Sequence, residues 1–493
     1  MILLIISQIN KIIWFEYSPI TCPPCYNHKT PILKMDDSTY ILGSFHYYNN
    51  KLRIMLIGIK VKTGITVEWY KAWLSSPNLD LNVSTLTKIN DTLIAVGGGH
   101  ECGYSYCSFF GLFNLKTQNF VWAKYLSVRG MVSSIAYDGN SLVLATQGHY
   151  FDPRGAIIKT DLNGNVIWAK RTSFGCAYND NFSIIPEQNG YIVMGVGWGG
   201  GGCSADGQPV IYRISLDGSS ATLIRGILNN YRAYNLIKDG DGNYVLIGFY
   251  NPDEGTYLLK IDSSGNVITL KKRYTANNGL RFYNIALDLD GNYLLAGVTK
   301  IGSTYYPIAV KINKNDNSVI WARRWSIDPI DYPYSPAKGI IPVKLGKILV
   351  SGYLGTSTNN YNGFFAILDS ADCMTPFQVN VNDTSLYMWY PSISLLNYSG
   401  SDISNLTLTP YNFSISQTAS CSLSDNEYKS CNYIIYGSKG FIAIKSENEV
   451  NLKIFSISGY KVKEVNIKEG KIKINPGIYI VQIGKDKVKI IVK

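Results

Sequence analysis

One short apolar strand recurs seven times, and that recurrence constrains the fold more than any other feature of the chain. It appears as Tyr40-Ile41-Leu42-Gly43, Leu93-Ile94-Ala95-Val96-Gly97, Leu142-Val143-Leu144-Ala145-Thr146 and Tyr191-Ile192-Val193-Met194-Gly195. It continues as Tyr244-Val245-Leu246-Ile247-Gly248, Tyr293-Leu294-Leu295-Ala296-Gly297 and Ile348-Leu349-Val350-Ser351. The last residues fall at 43, 97, 146, 195, 248, 297 and 351, so the steps run from 49 to 54 residues. Leucine-rich and ankyrin repeats are much shorter. A period of about 50 residues fits the four-stranded blades of a propeller.

Each unit repeats one internal order. In the fifth, strands are expected at Ala233–Lys238, Tyr244–Tyr250, Thr256–Asp262 and Val267–Tyr274, with turns at Asp239–Asn243 and Ser263–Asn266. Gly, Asn and Asp between period-two strands are what antiparallel hairpins need. The fourth strand often carries an indole, at Trp69, Trp122, Trp168 and Trp321, which is expected to fill the wedge between blades. The seventh unit lacks a fourth strand. Asn10–Tyr17 reads like Asn165–Lys170, so the N-terminal strand is expected to complete the last blade and close the ring. The reading is an all-β chain: a seven-bladed β-propeller over residues 9–371, a Ser/Thr/Asn-rich spacer over 372–430, and a small C-terminal β-sandwich over 431–493.

Composition narrows the function. Charged residues are only 16% of the chain, with 37 Tyr and 45 Gly, which favours strands and turns over helices. The opening run Met1–Ile6 is far too short to span a membrane. It is also a poor signal peptide, because no positive charge precedes it and no small-residue cleavage site follows. Of the net charge of +11, the last 63 residues carry 12 Lys against 5 acidic residues, so the rest is only weakly basic. A nucleic-acid partner would need a concentrated basic stripe, and none is expected.

The C-terminal segment holds Leu452-Lys453-Ile454-Phe455-Ser456-Ile457-Ser458-Gly459, then Pro476-Gly477-Ile478-Tyr479-Ile480-Val481, then Lys489-Ile490-Ile491-Val492-Lys493. This pattern resembles the type A C-terminal sorting domain of the type IX secretion system. The resemblance implies export and a partnership with the secretion machinery. The blade units likewise resemble secreted propeller repeats, which implies fold and export rather than a reaction. Nine cysteines agree with an oxidising compartment. Cys22/Cys25, Cys102/Cys107 and Cys176/Cys203 are close pairs in expected loops. Cys373 and Cys421 flank the spacer, and Cys431 is left over, although pairing Cys421 with Cys431 is equally compatible. An extracellular or cell-surface location follows.

Candidate chemistry gathers on one face. In a four-stranded blade the second-to-third and fourth-to-first loops share a side of the disc. His46, His100 and His149 each lie three residues after the repeat-marking position, and Trp198 takes that place in the fourth unit. Three His could ligate a metal, but neighbouring sheets lie about 10 Å apart while ligands on one ion must nearly touch. The plainer reading is a binding rim with no cofactor. Cys22-Pro23-Pro24-Cys25 has redox or zinc spacing but lies between strands, without the βαβ setting or the second pair that either would require. Gly195-Val196-Gly197-Trp198-Gly199-Gly200 matches a dinucleotide fingerprint in letters only, because no helix follows. Asp239–Asn243 and Asp288–Asn292 mimic half a calcium loop at what is better read as a hairpin turn. The expected function is non-catalytic recognition of a protein or glycan at the cell surface. The alternative is a secreted enzyme, a glycan hydrolase or a metal-dependent oxidoreductase, on the same face.

Overall fold

The computed structural model describes residues 12–15, 30–48, 51–61, 65–76, 78–101, 106–148, 155–199, 203, 207–228, 231–250, 255–268, 272–275, 279–301, 304–324, 337–343, 347–357 and 360–369. Beyond these it describes 375–376, 380–383, 387–389, 394–397, 403–405, 407–411, 416–418, 427–430, 433–438, 441–456, 460–483 and 486–492. Every regular element among them is a strand.

Seven sheets share one strand order. Their first strands are Ile32–Lys34, Leu81–Lys88, Val132–Tyr137, Tyr178–Glu187, Tyr231–Lys238, Leu280–Leu287 and Ala337–Val343, and the sheets are numbered one to seven accordingly. In sheets one to six, three further strands follow in chain order, each antiparallel to the last. In sheet seven the fourth position is taken by Ile12–Phe15, which pairs antiparallel with Asn360–Asp369 from Ile12 opposite Ala366 to Phe15 opposite Gly363.

The sheets form a β-propeller ring. The first strand of each packs on that of the next, and Ala337–Val343 packs on Ile32–Lys34. Apolar clusters fill the wedges between sheets. Leu42, Phe45, Ile57 and Ile59 of sheet one, for example, meet Leu349, Phe365 and Ile367 of sheet seven. Hydrogen bonds near the inner strands cross all seven interfaces. Lys88 Nζ donates to Met35 O at 2.7 Å, Thr87 Oγ1 to Ile135 O at 2.6 Å, and Ile184 N to Ser134 Oγ at 3.3 Å. Ser183 Oγ donates to Asn235 Oδ1 at 3.1 Å, Asn235 Nδ2 to Asn284 Oδ1 at 3.5 Å, and Asn284 Nδ2 to Lys338 O at 3.0 Å. Ser351 Oγ then donates to Thr30 O at 2.6 Å, joining the last sheet to the first. A closed ring leaves no sheet face uncovered, so each interface is both apolar and hydrogen-bonded.

The segment read as a spacer has a structure of its own. Each of the seven sheets takes a fifth strand from it. Thr375–Pro376 joins sheet six, Asn380–Asp383 sheet five, Tyr387–Trp389 sheet four and Ser394–Asn397 sheet three. Ile403–Asn405 then joins sheet two, Thr407–Tyr411 sheet one, and Ser416–Thr418 sheet seven, where it pairs with Ile12–Trp14. The chain thus travels back around the ring, against the order in which the sheets were laid down. Fourth strands would otherwise present open rows of N–H and C=O groups, and this belt satisfies them.

Residues Glu427–Val492 make one six-stranded sheet. Its 16-residue strand Phe441–Ser456 pairs with Tyr433–Ser438 through its first part and with Gly477–Ile483 through its last. Lys461–Lys473 lines its other edge, with the register shifting between Lys445 and Val450. The sheet has its own core of Ile442, Leu452, Ile454, Ile472, Tyr479 and Val481. The expected two-layer sandwich is therefore represented by one continuously paired sheet, because a single long strand serves both parts.

Candidate functional site

The repeated residues are spent on the scaffold. In the third-to-fourth-strand turn, Asp161 accepts from Asn163 N at 2.9 Å, Asn165 N at 2.8 Å and Asn165 Nδ2 at 2.9 Å. Asp262 repeats the arrangement with Ser264 and Asn266. The fourth-strand indoles of sheets two and three dock on the equivalent turn of the next sheet. Trp122 Nε1 donates to Leu162 O at 2.9 Å, and Trp168 Nε1 to Leu216 O at 3.0 Å. The turn must be bare for this contact: Gly164, at φ +74°, would place a Cβ 2.9 Å from the Trp122 ring. The Lys two residues on follows suit, with Lys124 Nζ donating to Gly164 O at 2.9 Å. Sheet four lacks the Trp and uses Arg225 instead, whose Nε donates to Gly265 O at 2.7 Å.

The Asp-rich first-to-second-strand turns are equally committed. Asp239 Oδ1 accepts from Asp241 N and Asn243 N, while Oδ2 lies 2.8 Å from Lys260 Nζ and accepts from Tyr293 OH at 3.2 Å. Tyr191, Asp138 and Lys159 form the same trio two interfaces earlier, between sheets three and four. Both oxygens of Asp239 are thus engaged by the protein's own donors, which accounts for the turn without calcium.

What breaks the repeat gathers on sheet four. The polar run Asn179-Asp180-Asn181 opens its first strand, where an inner strand would ordinarily carry apolar side chains. Asn179 and Asn181 are fully buried. Asn179 Oδ1 accepts from Phe174 N at 2.9 Å, and Asn181 Oδ1 from Tyr212 OH at 2.8 Å. Asp180 Oδ1 accepts from Gly148 N at 2.6 Å, and Oδ2 from Trp198 Nε1 at 2.8 Å. Burial of the carboxyl pushes its pKa up to about 7, against the pull of those two donors. The loops on either side are joined by the Cys176–Cys203 disulfide, and Ala177 N donates to Gly199 O at 2.6 Å. Gly197 has no room for a side chain, since a Cβ there would lie 2.3 Å from Cys176 Sγ. Clamped loops therefore hold an indole against a carboxyl that exchanges its proton near neutrality. That pair can bind a polar ligand or shuttle a proton.

The other candidates are dispersed. His46 lies within the strand Thr39–Tyr48, opposite Arg53, rather than on a loop. His100 lies within Leu93–Glu101, opposite Cys107. It is buried, with Nε2 3.4 Å from Leu126 O and its ring edge-on to Tyr125. Long second strands carry both residues past the expected loop boundary. Trp198 is partly buried at the end of Gly190–Trp198. Cys107 is disulfide-bonded. His149, Cys22, Cys25, Cys102, Cys373, Cys421 and Cys431 lie outside the described residues. Among the described residues no group of three or more His, Cys, Asp or Glu side chains is placed to hold a metal ion. The signal for Asp180 in the sequence is a run of three Asn/Asp residues inside an inner strand, which no repeat pattern marks.

No family model matches the chain, and no curated protein matches it. Among solved structures it is similar to a candidate 6-phosphogluconolactonase of Bacteroides fragilis, at 12% identity and TM-score 0.43, over 71% of this chain and 99% of the other. A periplasmic gluconolactonase of Pseudomonas aeruginosa is similar at 11% identity and TM-score 0.40, over 76% and 98%. Drosophila Semaphorin 2a is similar at 8% and TM-score 0.41, over 98% and 97%. None of these likenesses is close enough to carry a function.

Proposed function

We propose that the chain is a secreted seven-bladed propeller that recognises a protein or glycan through the face bearing Trp198, with a C-terminal sorting or anchoring unit. The observation that carries this reading is the division of labour among side chains. Repeat-register Asp, Lys, Tyr and Trp residues build the ring, whereas Asp180, Trp198 and the Cys176–Cys203 clamp depart from it together. A rigid, partly exposed indole on tied loops is the kind of anchor that binding surfaces use. The disulfide supports an oxidising, extracellular location. Among the described residues no helix is long and apolar enough to cross a membrane. The resemblance of Leu452–Lys493 to a type IX sorting domain supports export by that route.

The near-neutral proton of Asp180 favours one second reading, a secreted enzyme acting on the same face. Glycan and peptide arrays probed with the wild type and Trp198→Ala separate the two. Binding that Trp198→Ala reduces by about tenfold, with the captured ligand recovered unchanged, is the result expected. Captured ligands recovered cleaved or oxidised would support the enzyme. Array signals identical in both proteins would remove Trp198 from the site.

A further inference from the structure

The first strands of six sheets share a backbone device that the repeat motif does not advertise. Register shifts between Val83/Thr85, Val132/Ser134, Asn181/Ser183, Ala233/Asn235, Phe282/Asn284 and Ala337/Gly339 each leave one residue unpaired. Those residues are Ser84, Ser133, Phe182, Tyr234, Tyr283 and Lys338. Bulges of this kind re-aim a side chain. In sheets two and three the bulged serine helps close the ring: Ser84 Oγ donates to Val132 O, and Ser133 Oγ to Asn181 O. In sheets four to six that task passes to the next residue, Ser183, Asn235 or Asn284. Ring closure therefore does not explain the aromatic side chains at the bulges.

These side chains meet from sheet to sheet. Lys338 Nζ lies 3.6 Å from the centroid of Tyr283, whose ring is 5.0 Å from that of Tyr234. Tyr234 stacks on Phe249 at 5.1 Å and 22°, and the Arg281 guanidinium lies 5.0 Å from the Phe249 centroid. Tyr234, Tyr283 and Arg281 keep partial exposure. We propose that this arc on the first strands of sheets five to seven, backed by Phe249 of the second strand of sheet five, is a saccharide site that takes the ring of a carboxylate-bearing sugar. Mutual stacking fixes the aromatic rings before binding, so docking costs little side-chain entropy. The apolar C–H face of a sugar ring can lie along them, and the phenolic hydroxyls can bond its hydroxyls. Arg281, partly exposed at one end, favours a carboxylate by charge complementarity, and the buried Lys338 ammonium on the Tyr283 ring adds positive potential at the other.

This proposal rests on the binding-module reading but uses residues other than Trp198, so the two can fail separately. The test is calorimetric titration of the full chain with a mannuronate hexamer and with cellohexaose. The mannuronate hexamer is expected to bind about tenfold more tightly than cellohexaose, and less tightly as salt rises. Tyr283→Ala and Tyr234→Ala should each weaken it by about tenfold, Tyr283→Phe by no more than about threefold, and Trp198→Ala by no more than about twofold. Should the alanine variants not fold, hydrogen exchange on the wild type replaces them, with slowing expected in peptides covering 231–238 and 280–287 when the hexamer is added. No binding of the hexamer, equal binding of cellohexaose, or affinity and exchange insensitive to these strands would overturn the proposal.

Discussion

Urea unfolding followed from about pH 5 to about pH 8.5 is expected to show a loss of stability that Asp180→Asn abolishes. The folded protein holds the Asp180 proton up to a pKa of about 7, above the ordinary carboxylate value of 3.8. Between those values the folded state binds more protons than the unfolded chain, so stability falls as pH rises and the loss is complete above the folded pKa. A gap of that size corresponds at most to on the order of 4 kcal/mol. The asparagine variant has the shape of the protonated acid and no charge to bury. Its curve should be flat across this window, at a height set by the one hydrogen bond that its amide nitrogen cannot accept. Parallel curves for the two proteins would mean that the carboxyl is solvated and not packed behind Trp198.

Trp73→Ala should cost more than any change at the repeat-marking indoles, roughly 3–5 kcal/mol. Trp73 is fully buried between sheets one and two, edge-on to Phe113 at 5.4 Å and to Phe120 at 5.3 Å. Its indole N–H has no acceptor among the described residues. Trp73→Phe should therefore recover most of the loss, since it keeps a ring in the wedge and removes a buried donor that contributes nothing. Thermal or urea melts of the two variants decide the matter. Equal destabilisation by Ala and Phe would show that the N–H, rather than the ring, matters there.

The scaffold was legible because its determinants are local and repeated. The Tyr/Leu-led second strands, the Asp–Gly turns and the Trp-x-Lys fourth strands state the same hairpins many times over. Even the likeness of Ile12–Trp14 to Val166–Trp168 pointed to the pairing with Asn360–Asp369. The belt was not legible. Its strands are two to five residues long and take their register from backbone pairing with the fourth strands, so no period-two apolar pattern marks them. The bulges were hidden for a related reason, since an unpaired residue changes the register by one without changing composition. His46 and His100 stood out by spacing alone, and spacing does not reveal that strands run on past the repeat-marking residue. Asp180 is the converse case: its chemistry comes from Gly148 on another sheet and Trp198 on a neighbouring strand, which no local pattern connects.

The central claim is that the short strands from Thr375–Pro376 to Ser416–Thr418 complete all seven sheets of the ring. Hydrogen exchange read by mass spectrometry on the intact chain tests it most directly. The account predicts slow exchange in peptides covering the fourth strands Asn119–Arg129 and Val166–Ser173 and in those covering Ser394–Asn397 and Thr407–Tyr411. Exchange of the belt peptides at the rate of an unstructured chain, with the fourth strands opening on their outer edge, would contradict it.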